Sequence, residues 1–303
     1  MQPTATRTAP APHGRARTGL IVTADDFGAA LAVNEAVERA HREGILTAAS
    51  LMVAGEAVDD AVARARALPR LGVGLHVVLA DGRPVLPAAQ VPALVGPDGR
   101  FHDNMVKTAF AIAFSPAARA QMQAEVAAQF AAFAATGLPL DHVNAHKHFH
   151  LHPLIAAAII KAGRAHGLEA IRMPLDPTAG GLGGALMRWW AGRLGAHWRR
   201  RGLTVNDRVA GLAVTGAFTP ARMQAALAAL APGLTEVYTH PATQDAYPGS
   251  AAGYRYRDEL AALVQPGLRA GLAARGVLLG NFAEMAPAPA AATALAGARM
   301  RIS

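Results

Sequence analysis

Cysteine is absent from the 303 residues of the chain. Without it there can be no disulfide, no cysteine-ligated zinc site and no thiol nucleophile. Charged residues are also scarce, at 17% of the sequence, yet no apolar run reaches the roughly 20 residues that a membrane-spanning helix needs. We therefore predict a soluble protein in which any metal site uses histidine, aspartate or glutamate.

Lysine occurs only at Lys107, Lys147 and Lys161, so almost all of the formal charge of +8 comes from arginine. Such a basic chain could bind nucleic acid. The arginines, however, accompany an abundance of alanine, glycine and proline, which indicates a compositional bias, and we predict no nucleic-acid partner. The first seventeen residues lack the apolar segment of a secretory signal, which favours a cytoplasmic location.

From residue 19 onward, short apolar runs alternate with longer helical patterns, which is typical of β-α units around a parallel sheet or barrel. About seven such units follow without a long linker, so we predict a single domain over 19–283. A basic tail at 1–18 and an Ala/Pro-rich tail at 284–303 are predicted to be disordered. The predicted strands are 19–24, 48–53, 72–78, 142–146, 170–173, 234–239 and one that ends near 279.

Residues 176–207 interrupt this alternation. They contain four glycines between 180 and 184, three tryptophans and the run Arg199 to Arg201. We predict an insertion whose glycine cluster forms a flexible loop.

Polar side chains stand where several predicted strands end. Asp25 and Asp26 follow the first strand, and His76, His146 and His240 follow later ones. The carboxyl ends of barrel strands meet at one face, so these side chains are candidates for chemistry. Two adjacent carboxylates are costly without a nearby cation, and one can bind a metal ion while its neighbour acts as general base. The alternative is that one aspartate only caps the following helix.

Histidine recurs at alternate positions in His146, His148, His150 and His152. In a continuous strand the four rings would face one side. We expect the strand to end near His146 and the later histidines to line the following loop. Imidazole nitrogen is a ligand that zinc and other transition metals prefer, although such a loop could also bind metal adventitiously. No dinucleotide-binding, Walker or nucleophile-elbow motif competes with this interpretation.

The motifs T-A-D-D-F-G at 23–28, G-L-H at 74–76, H-V-N-A-H-K-H-F-H at 142–150 and T-H-P-A at 239–242 are the basis of a family resemblance. Over about 20–282 the chain resembles the YdjC-like (ChbG-type) carbohydrate deacetylases. Within that family it is similar to the hopanoid-biosynthesis-associated branch called HpnK. The resemblance implies an α/β fold, an irregular TIM-like barrel of about seven parallel strands, and metal-dependent removal of N-acetyl groups from amino sugars.

The resemblance also implies roles for individual residues. Asp25 would be the catalytic base, and one divalent ion would be held by Asp26, His76 and His146. Zinc is the first expectation for the ion, with magnesium, nickel, cobalt and manganese as alternatives. Asn144 stands where family members more often carry aspartate, which leaves open whether His146 or His148 binds the metal.

Substrate-facing residues follow from the same resemblance. His240, or a histidine of the 148–152 run, would protonate the departing amine. His148, His150 and Arg172 are candidates for substrate contact, and Arg172 could instead hold the catalytic base.

The HpnK-like branch implies a hopanoid lipid with an N-acetylglucosaminyl headgroup as substrate. Soluble chitooligosaccharides are the enzymatic alternative, and a noncatalytic metal-binding protein at the membrane surface is an alternative of another class. Trp189, Trp190 and Trp198 lie beside arginines, a combination that suits the lipid–water boundary at the inner face of the membrane. Alternatively, Trp189 and Trp190 pack the 176–207 segment on the barrel.

Overall fold

A curled sheet of parallel strands forms the centre of the protein. In the computed structural model, which describes residues 17–178 and 180–286, the sheet has seven strands in the order β4-β3-β2-β1-β6-β5, and β7 pairs with the start of β1. The strands are β1 (Thr18–Phe27), β2 (Ala48–Leu51), β3 (Gly72–Val77), β4 (Val143–Ala145), β5 (Arg208–Ala210), β6 (Gly233–Thr239) and β7 (Leu278–Leu279). All pairings are parallel, so the carboxyl ends of the strands share one edge.

Between the edge strands β4 and β5 the described chain forms isolated bridges rather than a full ladder. Ile171 pairs with Val143 of β4, and Ala170 pairs with Thr204. The strand predicted at 170–173 is thus reduced to isolated bridges, because the Asn206 side chain takes both the N–H and the carbonyl of Met173. The predicted α/β fold, with parallel strands curled into an irregular barrel in one domain, is confirmed.

Helices surround the sheet and connect its strands. In the described part of the chain they are α1 (Leu31–Glu43), α2 (Val58–Arg66), α3 (Met105–Phe114), α4 (Pro116–Ala135), α5 (Pro153–Ala165), α6 (Gly181–Arg199), α7 (Pro220–Ala228), α8 (Tyr256–Leu263), α9 (Leu268–Ala274) and α10 (Phe282–Met285). None of them is long and apolar enough to cross a bilayer. Of the tails predicted at 1–18 and 284–303, the parts at 1–16 and 287–303 lie outside the described residues, whereas β1 begins at Thr18 and α10 extends two residues beyond 283.

The 176–207 segment contains a regular helix rather than a loop. Helix α6 begins at Gly181, so the prediction of a flexible glycine loop was wrong. Glycine weakens a helix by roughly 1 kcal/mol per residue, but α6 buries Ala191, Gly195 and Trp198 against the barrel. This burial outweighs the cost, and α6 takes the place of the connecting helix between residues 170–171 and β5.

Candidate active site

The first strand ends in a bulge that positions both aspartates. Ala24 pairs with Ala49 and Phe27 pairs with Leu51, so one strand has an extra residue between these pairs. Asp26 adopts a left-handed φ of 62°. In a regular strand neighbouring side chains face opposite sides, whereas here the bulge lets Asp25 and Asp26 line the same cavity.

Three ligand atoms form a triangle at the edge of this cavity. Asp26 Oδ1 lies 3.3 Å from His76 Nε2 and 3.3 Å from His146 Nδ1, and the two nitrogens are also 3.3 Å apart. Ligand atoms of a tetrahedral zinc site with bonds of about 2.0–2.1 Å lie about 3.3–3.4 Å apart. Asp26 Oδ1 is buried without a hydrogen-bond partner among the described residues. The triangle therefore fits one divalent ion with three protein ligands and an open position.

Asn144 fixes the orientation of His76. Its amide nitrogen donates to Asp25 Oδ1 at 3.0 Å and to Ser50 Oγ at 2.8 Å, and its oxygen lies 2.6 Å from His76 Nδ1. Since both amide hydrogens are in use, the oxygen accepts from His76 Nδ1–H. The His76 Nε2 lone pair then faces Asp26 and His146. It is His146, not His148, that completes the triangle.

Arg172 holds the candidate base. Its Nη1 lies 2.5 Å from Asp25 Oδ2, while its Nε and Nη2 donate to Glu236 at 2.9 and 2.8 Å. Burial alone would raise the pKa of Asp25, but the Arg172 charge, the His76 charge and the hydrogen bond from Arg172 together outweigh burial and lower the pKa well below the usual range. Arg172 is fully buried and does not line the cavity. It therefore positions Asp25, and the predicted substrate contact by Arg172 does not fit the structure.

Aromatic side chains form the opposite wall of the cavity. Its volume is about 610 Å³, and all four tyrosines of the chain line it. The His240 ring lies 5.5 Å from the Tyr238 ring and 5.3 Å from the Tyr254 ring. Its Nδ1 has no hydrogen-bond partner among the described residues. The sequence reasoning missed the tyrosines, which are Tyr238, Tyr247, Tyr254 and Tyr256.

The two remaining histidine candidates have different surroundings. His148, with a left-handed φ of 56°, lines the cavity and lies edge-on to Tyr238 at 5.3 Å. His150 is fully buried, stacks on Trp198 at 6.4 Å and does not line the cavity. Because no surface of its ring reaches the cavity, the predicted substrate contact by His150 does not fit the structure.

The burial of His150 predicts an acid-sensitive fold. Burial lowers its pKa from 6.5 to about 3, so the unfolded chain binds an extra proton between these values. Stability is then lost as the pH falls below 6.5, by about 2 kcal/mol from pH 8 to pH 5 for this group alone. Urea unfolding at the two pH values should show the loss, and His150→Phe should remove that share of it. An unchanged pH dependence in the variant would contradict this explanation.

The tryptophans of α6 only partly match the predicted membrane-facing set. Trp198 is 2% exposed, so the prediction was wrong for this residue. Trp190 is half-buried, and its Nε1 donates to the carbonyl of Leu151 at 2.9 Å, which fixes α6 on the barrel. Trp189 remains more than half exposed, with the Arg193 guanidinium 5.4 Å from its ring centre.

Comparison with known proteins decides the family. The family model described as YdjC-like protein matches residues 19–274. The chain belongs to the YdjC-like family. This YdjC-like chain is 41% identical over 159 residues to a carbohydrate deacetylase of Brevibacillus brevis, covering 52% of the chain and 58% of that protein. It is 32% identical over 296 residues to a carbohydrate deacetylase of Homo sapiens, covering 88% and 90% of the two chains.

A solved structure shares the fold of this YdjC-like chain. It is a protein of Enterococcus faecalis V583 described as a candidate cellobiose-phosphate cleavage protein, with a TM-score of 0.73 and 22% sequence identity. The match covers 89% of the chain and 100% of the other protein. At this identity the likeness shows the fold alone.

Proposed function

We propose that this YdjC-like protein is a metal-dependent hydrolase that removes the N-acetyl group from an N-acetylglucosamine-type sugar. The observation that carries the proposal is the triangle of Asp26, His76 and His146 beside the buried carboxylate of Asp25. Amide hydrolysis needs an activated carbonyl, a base for the attacking water and a proton for the leaving amine. The cavity contains candidates for all three tasks.

The contacts of these residues indicate a separate role for each of them. Asp26, His76 and His146 would hold one divalent ion, with zinc as the first expectation, and the bound ion would supply a Lewis acid for the acetyl carbonyl. Asp25, kept ionised by Arg172, accepts the proton of the attacking water as the C–O bond forms. His240 donates a proton to the nitrogen as the C–N bond breaks. The products are acetate and the free amine.

We further propose that the sugar is the headgroup of a lipid, in line with the similarity to the HpnK branch. The substrate would then be an N-acetylglucosaminyl hopanoid, met at the inner face of the cytoplasmic membrane. Exposed apolar side chains on α3 and α6 support a lipid-linked substrate. The names of curated relatives, carbohydrate deacetylase and in one case chitooligosaccharide deacetylase, favour the second candidate, deacetylation of soluble oligosaccharides such as chitooligosaccharides.

Acetate release from both substrate types separates these candidates. The protein is incubated with a micellar N-acetylglucosaminyl lipid and with soluble chitooligosaccharides, and Asp25→Asn serves as the control for contaminating hydrolases. We expect kcat/KM for the lipid to exceed kcat/KM for the oligosaccharides by at least about 10-fold, which is the discrimination that a single apolar contact between enzyme and substrate supplies. The reverse preference supports the soluble substrate. If no acetate is released from either substrate, the deacetylase proposal is contradicted.

A substitution at Gly216 can disturb the tyrosines that line the cavity without changing the triangle of Asp26, His76 and His146. It has a φ of +74°, and a Cβ there would lie 2.3 Å from Tyr254 Cδ1. Gly216→Ala should therefore displace the Tyr254 ring and raise KM by about 10-fold with a smaller change in kcat. Gly167→Ala is the matched control, since its φ of +74° imposes the same strain, a Cβ there meets nothing within 4 Å, and it lies outside the cavity. Equal KM values for the two variants would show that Tyr254 does not contact the sugar.

A further inference from the structure

Helix α3 presents large apolar side chains to solvent. Val106, Phe110 and Phe114 follow at four-residue intervals, and each is at least 61% exposed. This spacing places them on one face of the helix. The only charged residue of α3 is Lys107. A continuous apolar row of this kind differs from the scattered apolar residues of an ordinary surface and indicates an interaction site.

Helix α6 has a similar face near its start. Leu182, Leu186 and Trp189 are each at least 58% exposed and lie on one side of the helix. The helix contains arginines and no acidic residue. The two exposed faces are thus apolar, and the charged residues of both helices are all basic.

Both helices contact the turn that follows the histidine loop. Trp190 of α6 donates to the Leu151 carbonyl. On α3, the backbone of Ala109 lies next to the His152 ring. This turn directly follows the segment that carries His146 and His148. Both helices therefore adjoin the same turn of the chain, next in sequence to the histidine loop.

A groove of about 630 Å³ between α5 and α6 adds a cationic border. Ile160, Leu194 and Trp190 contribute apolar surface, and among the described residues no carboxylate lines the groove. The basic residues at the groove are Lys161, Arg164, Arg193, Arg200 and Arg201. An apolar surface bordered by cations is complementary to an amphiphile with a negative headgroup.

We propose that α3, α6 and the α5–α6 groove form a docking surface for an anionic lipid bilayer. The apolar side chains enter the boundary between headgroups and acyl chains, and the basic residues meet the phosphates. A second copy of the chain is a poorer occupant, since two such surfaces bring cations together. The inference rests on the proposed lipid-linked substrate for its purpose, but vesicle binding is measured without any sugar.

Sedimentation with vesicles tests the docking surface. Wild-type protein is mixed with phosphatidylcholine vesicles that contain or lack phosphatidylglycerol. The variants are Phe110→Ser/Phe114→Ser and, as matched control, Leu278→Ser, an exposed leucine of β7 outside the surface. We expect binding to the anionic vesicles that falls at least about 10-fold in the double variant and is unchanged in Leu278→Ser.

Three outcomes would overturn the docking surface. They are negligible vesicle binding by the wild type, equal binding by the wild type and the double variant, and a wild-type dimer that becomes monomeric in the double variant without any vesicle binding. Acetate release from a soluble oligosaccharide is followed in parallel. Its retention alongside lost vesicle binding would show that docking and deacetylation are separate properties.

A buried chain of hydrogen bonds is an independent observation. Asp141 Oδ2 lies 2.9 Å from His142 Nδ1, His142 Nε2 lies 3.0 Å from Ser50 Oγ, and Asn144 donates to Ser50 Oγ. All four side chains are buried. At its far end Asp141 accepts from the backbone N–H groups of residues 282 and 283, at the start of α10. This series of hydrogen bonds therefore links α10 to the active site through the barrel.

The hydrogen bonds of this chain run in one direction. A flipped Asn144 amide would place its oxygen against the Asp25 carboxylate, so the nitrogen must face Asp25 and Ser50. Ser50 then donates its only hydrogen to His142 Nε2. His142 donates Nδ1–H to Asp141, whose negative charge the two backbone N–H groups also stabilise.

We infer that Ser50 and His142 are positioning residues that hold the Asn144 oxygen on His76. This arrangement keeps His76 Nε2 free of hydrogen for a metal ion. Ser50→Ala should weaken zinc binding about 10-fold, as loss of a partner that orients a ligand typically does. Thr47→Val is the control, since it removes a buried hydroxyl that bonds only to the Val22 backbone.

Zinc affinity is measured by competition with a chelator, together with the Tm of the metal-free proteins. We expect Thr47→Val to lower the Tm without changing the zinc Kd. Equal zinc Kd values for wild type and Ser50→Ala would overturn the positioning role. Failure of the wild type to bind zinc would instead contradict the proposed metal site.

Discussion

His76→Ala is expected to lose the bound metal and deacetylation together. His76 Nε2 is one corner of the 3.3 Å triangle, and removing it leaves two ligands for the ion. Without a Lewis acid at the carbonyl, several kcal/mol of transition-state stabilisation disappear, which corresponds to at least about 10³-fold in turnover. Elemental analysis of the purified variant and acetate release measure the two effects.

A histidine outside the cavity is the control for this variant. His166, at the end of α5, stacks on Phe130 and does not line the cavity. His166→Ala should keep one ion per chain and normal turnover. A His76→Ala protein with full metal content and turnover would show that the triangle is not the metal site.

Asp25→Asn is expected to bind metal normally and turn over about 10²–10⁴-fold more slowly, the usual contribution of a general base. Asp25 is not part of the triangle, so the ligand set stays complete. Arg172 keeps its two hydrogen bonds to Glu236, which lets the buried guanidinium remain paired. Steady-state kinetics and elemental analysis are the measurements. Normal turnover would remove Asp25 from the role of base.

The β-α alternation could be predicted because parallel strands covered on both faces have nearly continuous apolar sequences. Leu20 to Ala24 of β1 is such a run, and all five residues are buried. The gathering of the strand-end residues Asp25, Asp26, His76, His146 and His240 at one face could also be predicted, since the carboxyl ends of parallel strands meet at one edge. The choice of Asp26, His76 and His146 among them came from the family resemblance. The bulge at Asp25 and Asp26 could not be predicted from the sequence, because it depends on how β1 pairs with β2.

The errors at α6 have a physical explanation. Its glycines are typical loop residues, but the burial of Ala191, Gly195 and Trp198 against the barrel favours the helix. The same burial explains why only Trp189 of the three tryptophans is mainly exposed. Local sequence carries no information on which helix face meets the barrel when glycine and tryptophan occur on several faces.

The contacts of Asn144 were beyond sequence reasoning for another reason. The asparagine stands where the family resemblance leads us to expect aspartate. Its amide contacts side chains from three other strands, Asp25, Ser50 and His76. Only the combination of these partners determines which way the amide points. In the structure this residue orients His76, a proposed metal ligand, and its sequence position alone does not reveal that role.

Zinc titration into chelator-treated protein, followed by acetate release from an N-acetylglucosaminyl substrate, tests the central claim most directly. The account predicts no acetate from the metal-free protein, a rise in proportion to added zinc, and saturation at one ion per chain. Acetate release that the chelator does not diminish would contradict it.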